Sequence, residues 1–128
     1  MIFVDTNVIM YAVGRAHPLR GEARSFFDGA LSRREALATS AEVLQELLHA
    51  YLPVGRLETL DAALHLADSC IPVVWPVDAE DVHFARVLVR RHPALGARDL
   101  LHLSCCKRRK AAQLKTFDRP LAAAFLKG

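Results

Sequence analysis

Asp5, Glu46, Asp99 and Asp118 are spread over almost the whole of this 128-residue chain, yet each falls where strand ends and helix faces can converge on one crevice. Carboxylates gathered in a partly buried cleft repel one another, raise one another's pKa and destabilise a fold unless a cation neutralises them. Oxygen donors without His or Cys at ligand spacing select Mg²⁺, or Mn²⁺, over zinc. Such an ion acidifies a bound water and holds a phosphate oxygen, which is what phosphodiester hydrolysis by in-line attack requires. Taken singly, each acid has a plainer explanation as a helix cap or part of a solvated face. Only as a group do they point to chemistry.

The elements that must position them follow from the patterning. Ile2, Phe3 and Val4 form an apolar run without alternation, the mark of a strand covered on both faces. Asp5, Thr6 and Asn7 end it, and Val8, Ile9, Met10 and Tyr11 begin a short helix. His17 and Pro18 open a helical segment through Arg34, with Pro18 suited to its first turn. Residues 36–39 supply a second strand, and Ser40 is an N-cap for the next helix, in which Val43, Leu44, Leu47, Leu48 and Tyr51 share a face. On that helix Glu46 lies ~120° from the centre of the apolar arc and Glu42 ~160°, so Glu46 is the acid nearer the boundary of the core. Glu42, in the first turn, suits the helix dipole.

After Pro53 and Gly55, residues 56–70 form a helix that folds back on the previous one. Residues 71–77 are a third strand, which Pro72 and Pro76 confine to an edge. Asp78 caps a fifth helix with Val82, Ala85, Leu88 and Val89 facing inward; Gly96 precedes a sixth, and residues 111–117 give a fourth strand. Asp118, Arg119 and Pro120 open a last short helix. Strands alternating with helices imply an α/β fold, a three-layer α/β/α arrangement around a parallel sheet of four or five strands. If strands one and four are parallel neighbours, Asp5 and Asp118 emerge at the same edge, and the helix begun by Asp99 crosses over toward it.

The length suits one domain spanning 1–128, and 52% hydrophobic with 24% charged residues fits a packed globular chain. Three cysteines, two of them adjacent, argue for reduced thiols in the core rather than a disulfide framework, and with no secretory or membrane segment visible they imply a cytoplasmic protein. A net charge of +3 permits a polyanionic partner. The KRRK run at 107–110, with Arg90 and Arg91, suits either an RNA backbone or simple neutralisation of helix C-termini. Arg15, Arg20, Arg24, Arg33 and Arg34 are further candidates for a basic rim. His102, one turn after Asp99, reads as packing or a hydrogen-bond partner, and Trp75 on an edge strand makes a poor platform for bases.

Four fragments, FVDTNVIMYA, SAEVLQELLHA, ARDLLHLSCC and LKTFDRPLAAAF, together resemble the PIN-domain ribonucleases, and most of all the toxins of VapBC-type toxin–antitoxin pairs. The resemblance implies that Asp5, Glu46, Asp99 and Asp118 bind metal, with Thr6, Asn7 and Thr116 as supporting polar groups. It further implies a Mg²⁺-dependent endoribonuclease, homodimeric, and inhibited by an antitoxin whose tail crosses the acidic cleft. The chain departs from the family at its end, where AFLKG leaves little room for a fifth strand. Other readings stay open: a free-standing RNA-processing nuclease, a catalytically silent module that binds RNA or protein, or a phosphatase-like domain, although DTN lacks the D-x-D spacing of one such class.

Overall fold

Strand β1 (Ile2–Val4) is buried along its whole length, as its unbroken apolar run requires, and it lies inside a four-stranded sheet. The structure, a computed structural model, describes residues 1–127. In chain order, α1 (Thr6–Val13) and α2 (Arg20–Ser32) follow β1; β2 (Leu37–Ser40) leads to α3 (Ala41–Tyr51) and α4 (Leu57–Cys70); β3 (Val73–Trp75) leads to α5 (Ala79–Leu88) and α6 (Ala97–Arg108); β4 (Gln113–Lys115) and α7 (Arg119–Leu126) close the chain. The sheet is parallel throughout in the order β3-β2-β1-β4, with Phe3 opposite Ala38 on one side and Leu114 on the other. No fifth strand occurs among the described residues.

That order has one reversal. The chain moves outward from β1 through β2 to β3, then returns to place β4 on the opposite side of β1. In an open parallel sheet the crevice for ligands lies beyond the strands' carboxyl ends at this switch point. Here it is where Asp5 leaves β1 and residues 116–118 leave β4.

Apolar packing holds the sheet between two groups of helices. One cluster joins Phe3, Val8, Ile9, Phe27, Leu47 and Leu60 from β1 and the first four helices; the other joins Leu88, Leu100, Leu103 and Leu121 from the last three. Local signals set the ends. The Ser40 hydroxyl accepts from the Val43 N–H at 3.3 Å and starts α3, and Gly55 supplies the left-handed φ of +71° in the turn before α4. β3 is shorter than residues 71–77 because prolines flank it, and it is an edge. Its Trp75 stacks on Phe3 at 6.0 Å with the Arg109 guanidinium 5.8 Å from its ring, so the protein itself uses the aromatic faces. Pro18 lies in a turn ahead of α2, which begins at Arg20, rather than within the helix.

Helix α5 corrects the apolar reading more substantially. Val82 is 54% exposed, whereas its neighbour Asp81 is wholly buried. The cause is an ion-pair network: Asp81 accepts from Arg108 at 2.6 Å and from Arg109 at 2.7 and 3.0 Å, and forms a reciprocal capping box with Asp78. A buried carboxylate is tolerated only when fully paired, so the need to reach these guanidinium groups turns α5 by one residue and leaves Val82 outside. Half of the KRRK run is thereby committed to structure, with Arg109 also donating to the Pro76 carbonyl. Cys105 and Cys106 are core thiols, and burial pushes Cys105 up to about 11 and Cys106 higher still; Cys70, also a free thiol, is only partly buried.

Candidate metal centre

Asp5 is the pivot. Its backbone N–H donates to the Lys115 carbonyl at 3.0 Å, extending the β1–β4 ladder, while its side chain caps α1 by accepting from the Thr6 N–H at 2.7 Å. Its other oxygen accepts from the Thr116 hydroxyl at 2.7 Å and from the Asn7 amide at 3.4 Å. Asn7 clamps the end of β4 twice more, donating to Thr116 Oγ1 at 3.2 Å and accepting from the Phe117 N–H at 3.1 Å. Thr116 Oγ1 also accepts from the Asp118 N–H at 3.0 Å. Thr6, Asn7 and Thr116 thus form one network that ties the two strand ends together.

Glu46 comes in from α3, half-buried at the margin of the core as its helical phase implies. The Thr6 hydroxyl donates to one of its oxygens at 3.0 Å, and the His102 imidazole bonds to the other through Nε2. His102 is 1% exposed, its ring against Phe3 and its Nε2 also 3.6 Å from Asp5. Asp99, one turn earlier on α6, is partly exposed and accepts no hydrogen bond among the described residues. Asp118 caps α7 with one oxygen, accepting from the Leu121 N–H at 3.0 Å, and the cap leaves its second oxygen unused.

The electrostatics register the crowding. Burial above all, and then the charge of Glu46, raises the Asp5 carboxyl against the pull of His102 and its hydrogen bonds. Asp99 is likewise raised, by burial first and then by Asp118, Asp5 and Glu46. Burial works to raise Glu46 too, but the bonded His102 brings it below the usual range. Burial works to lower His102, and the carboxylates around it outweigh that and raise it. His102 is therefore the chain's internal counter-charge to Asp5 and Glu46. Among the described residues no three of these side chains are drawn in to the spacing of a finished metal cage. The donor set nonetheless fits a hard cation: carboxylate oxygens, with charge that the chain's own groups neutralise only in part. An added ion would compete with His102 for Glu46. Accordingly, His102→Gln is expected to lower Tm in chelator, and added Mg²⁺ to restore more of that loss than it adds to the wild type, measured by thermal melts with and without the ion.

The basic rim is thinner than its arginine count. Arg24 donates to the Ala12 carbonyl and Arg33 pairs with Glu35, whereas the side chains of Arg15, Arg20 and Arg34 have no partner among the described residues.

Comparison with known proteins identifies the family. The model of the PIN domain matches residues 2–124. The chain belongs to the PIN-domain family. It is 61% identical to ribonuclease VapC23 of Mycobacterium tuberculosis over 125 residues, covering 98% of each chain, and 39% identical to ribonuclease VapC13 of the same organism over 93% of this chain and 91% of that one. This PIN domain is thereby a VapC ribonuclease. Its fold matches the crystal structure of M. tuberculosis VapC20, a sarcin-ricin loop cleaving toxin, with a TM-score of 0.78, 21% identity, and coverage of 97% of this chain and 95% of that one. Sequence reasoning left His102 outside the group of site residues; its one-turn spacing from Asp99 was the available signal.

Proposed function

We propose that the chain, read as one nuclease domain over 1–128, is a Mg²⁺-dependent endoribonuclease in which Asp5, Glu46, Asp99 and Asp118 hold the metal, Mn²⁺ being able to replace it. The observation that carries this is that Asp5, Glu46 and Asp118 are joined through Thr6, His102 and Thr116 at the sheet's switch point, with Asp99 one turn before His102, in a chain so similar to VapC ribonucleases. When bound, the ion supplies the charge that acidifies an attacking water and neutralises the phosphodiester. The chain's own groups do the rest. Thr116 and the Thr6 N–H fix the two oxygens of Asp5; Thr6 and His102 orient Glu46; Asn7 holds the end of β4 against α1, and Thr116 ties the Asp118 backbone to the same network. Arg98, exposed beside Asp99, adds positive charge toward Glu46 and the incoming backbone.

The biological reading is that of the VapBC pairs: a cytoplasmic toxin, homodimeric, inhibited by an antitoxin whose tail lies over the acidic crevice. Apolar side chains exposed at the α3–α4 turn, Leu52, Val54 and Leu57, and on α5, Val82 and Val87, supply surface for such protein contacts. No helix among the described residues is long and apolar enough to cross a membrane. The direct test is cleavage of RNA by purified protein with Mg²⁺ and then with chelator. Cleavage that stops with chelator and returns on adding Mg²⁺ supports the reading; cleavage indifferent to the ion contradicts it.

A further inference from the structure

Beside the acidic crevice the structure carries an aromatic cluster with no part in holding the acids. Tyr11, one turn beyond Asn7 on α1, stacks on His17 with centroids 4.4 Å apart and planes 28° apart, and meets the edge of Phe117 at 5.6 Å. Phe117 sits between Thr116 and Asp118, and its backbone is the one held by Asn7. His17 is exposed, so with one ring face on Tyr11 the other faces solvent. The ring is nonetheless fixed, because Nδ1 accepts from the Leu19 N–H at 3.1 Å. An exposed ring held flat, with little rotamer freedom left to lose, is a ready surface for another π-system. Two cations belong to the same neighbourhood. Lys115 Nζ lies 4.9 Å from the Phe117 centroid and 3.8 Å from the exposed Glu22 carboxylate, and the Arg20 Nε, three residues on from His17, is buried with no partner.

Single-stranded RNA is gripped by stacking of bases on aromatic rings together with cationic contacts to phosphates. We propose that the Tyr11–His17 stack is a base-stacking subsite for a nucleoside next to the cleaved phosphodiester, with Arg20 and Lys115 set to meet the adjoining phosphate. This deepens the ribonuclease reading and rests on it. Trp75, whose faces are taken by Phe3 and Arg109, has no such free surface.

The test uses an RNA oligonucleotide that the wild-type chain cleaves, and versions of it in which each nucleoside around the cleaved bond in turn is made abasic. Loss of one base–aromatic stack is worth about tenfold in binding, so the wild type should lose about tenfold in kcat/KM, mostly through KM, at one abasic position. His17→Ala should lose about tenfold on intact RNA and nothing further at that position. His17→Phe, which keeps the ring but not the Nδ1 bond to Leu19, should stay within about threefold of wild type and keep the abasic sensitivity. The subsite is overturned if His17→Ala cleaves intact RNA like wild type, if His17→Phe loses as much as His17→Ala, or if the His17→Ala and abasic losses multiply. A wild-type chain that cleaves no RNA would overturn the ribonuclease reading and the subsite with it, whereas normal cleavage by His17→Ala removes the subsite alone.

Discussion

Asp5→Asn should reduce Mg²⁺-dependent RNA cleavage by roughly a thousandfold while leaving the fold in place, because the substitution removes a charge aimed at the reacting centre and little else. The asparagine carbonyl can still cap α1 through the Thr6 N–H, so the helix start survives. Its amide would face Thr116 Oγ1, which already accepts from Asn7 and Asp118, and that weakens the β1–β4 clamp. Against this, the substitution takes away a buried carboxylate whose ionised form burial disfavours. The two effects oppose one another, and the melting temperature in chelator should move by only a few degrees from the wild-type value, on the order of 1 kcal/mol. Activity lost with Tm retained is the signature to look for in paired cleavage assays and thermal melts. Full activity in Asp5→Asn would remove Asp5 from the mechanism.

The opposite signature is expected at Asp81 on α5, which pairs with Arg108 and Arg109 at the C-terminal end of α6, away from the crevice. Asp81→Ala strands Arg108 and Arg109 beside an emptied buried site, and breaking a buried ion pair on one side typically costs about 3 kcal/mol. For a chain of this size that is a fall in Tm of about 10 °C. Cleavage per folded molecule, measured well below the melt, should be unchanged, since none of the crevice residues touches the network. The acid limb of stability should change as well. Burial works to raise the Asp81 carboxyl, but Arg109, the Asp78 N–H and Arg108 together hold it well below the ordinary 3.8. A carboxyl depressed in the folded state contributes stability that is present above its unfolded pKa and lost as pH falls through its folded one. The wild type should therefore shed this contribution only below about pH 4, and Asp81→Ala should lack that part of the acid slope. A variant that melts like wild type would show the network to be dispensable.

These two sites also mark what the residues disclosed unaided. β1, the edge position of β3 and the Ser40 and Asp78 caps are written in short-range patterns: an unbroken apolar triplet, flanking prolines, small polar residues ahead of a helical period, whereas the pairing of β1 with β4 entered only as a condition that the sheet order meets. Asp5 and Asp118 could be placed at one edge because parallel neighbours bring their carboxyl ends together. Asp81 could not be found this way. A charged residue beside an apolar Val82 looks exposed until its partners, on another helix, are known, and Arg108 and Arg109 in turn look like a solvated basic run. His102 reads correctly as packing or a hydrogen-bond partner, but which group it bonds could not be read, because Glu46 belongs to another element. The Tyr11–His17 stack likewise joins α1 to the turn before α2 across residues that share no period.

The claim on which the rest depends is that one cation answers to four acids from distant parts of the chain. Titration of the protein with Mn²⁺, followed by the electron paramagnetic resonance signal of the free ion, tests it without recourse to catalysis. Wild-type protein should deplete that signal, and Asp5→Asn, Glu46→Gln, Asp99→Asn and Asp118→Asn should each weaken binding by about tenfold or more while Asp81→Asn leaves it unchanged. Binding by all four crevice variants as tight as that of the wild type, or no binding by the wild type itself, would contradict the account.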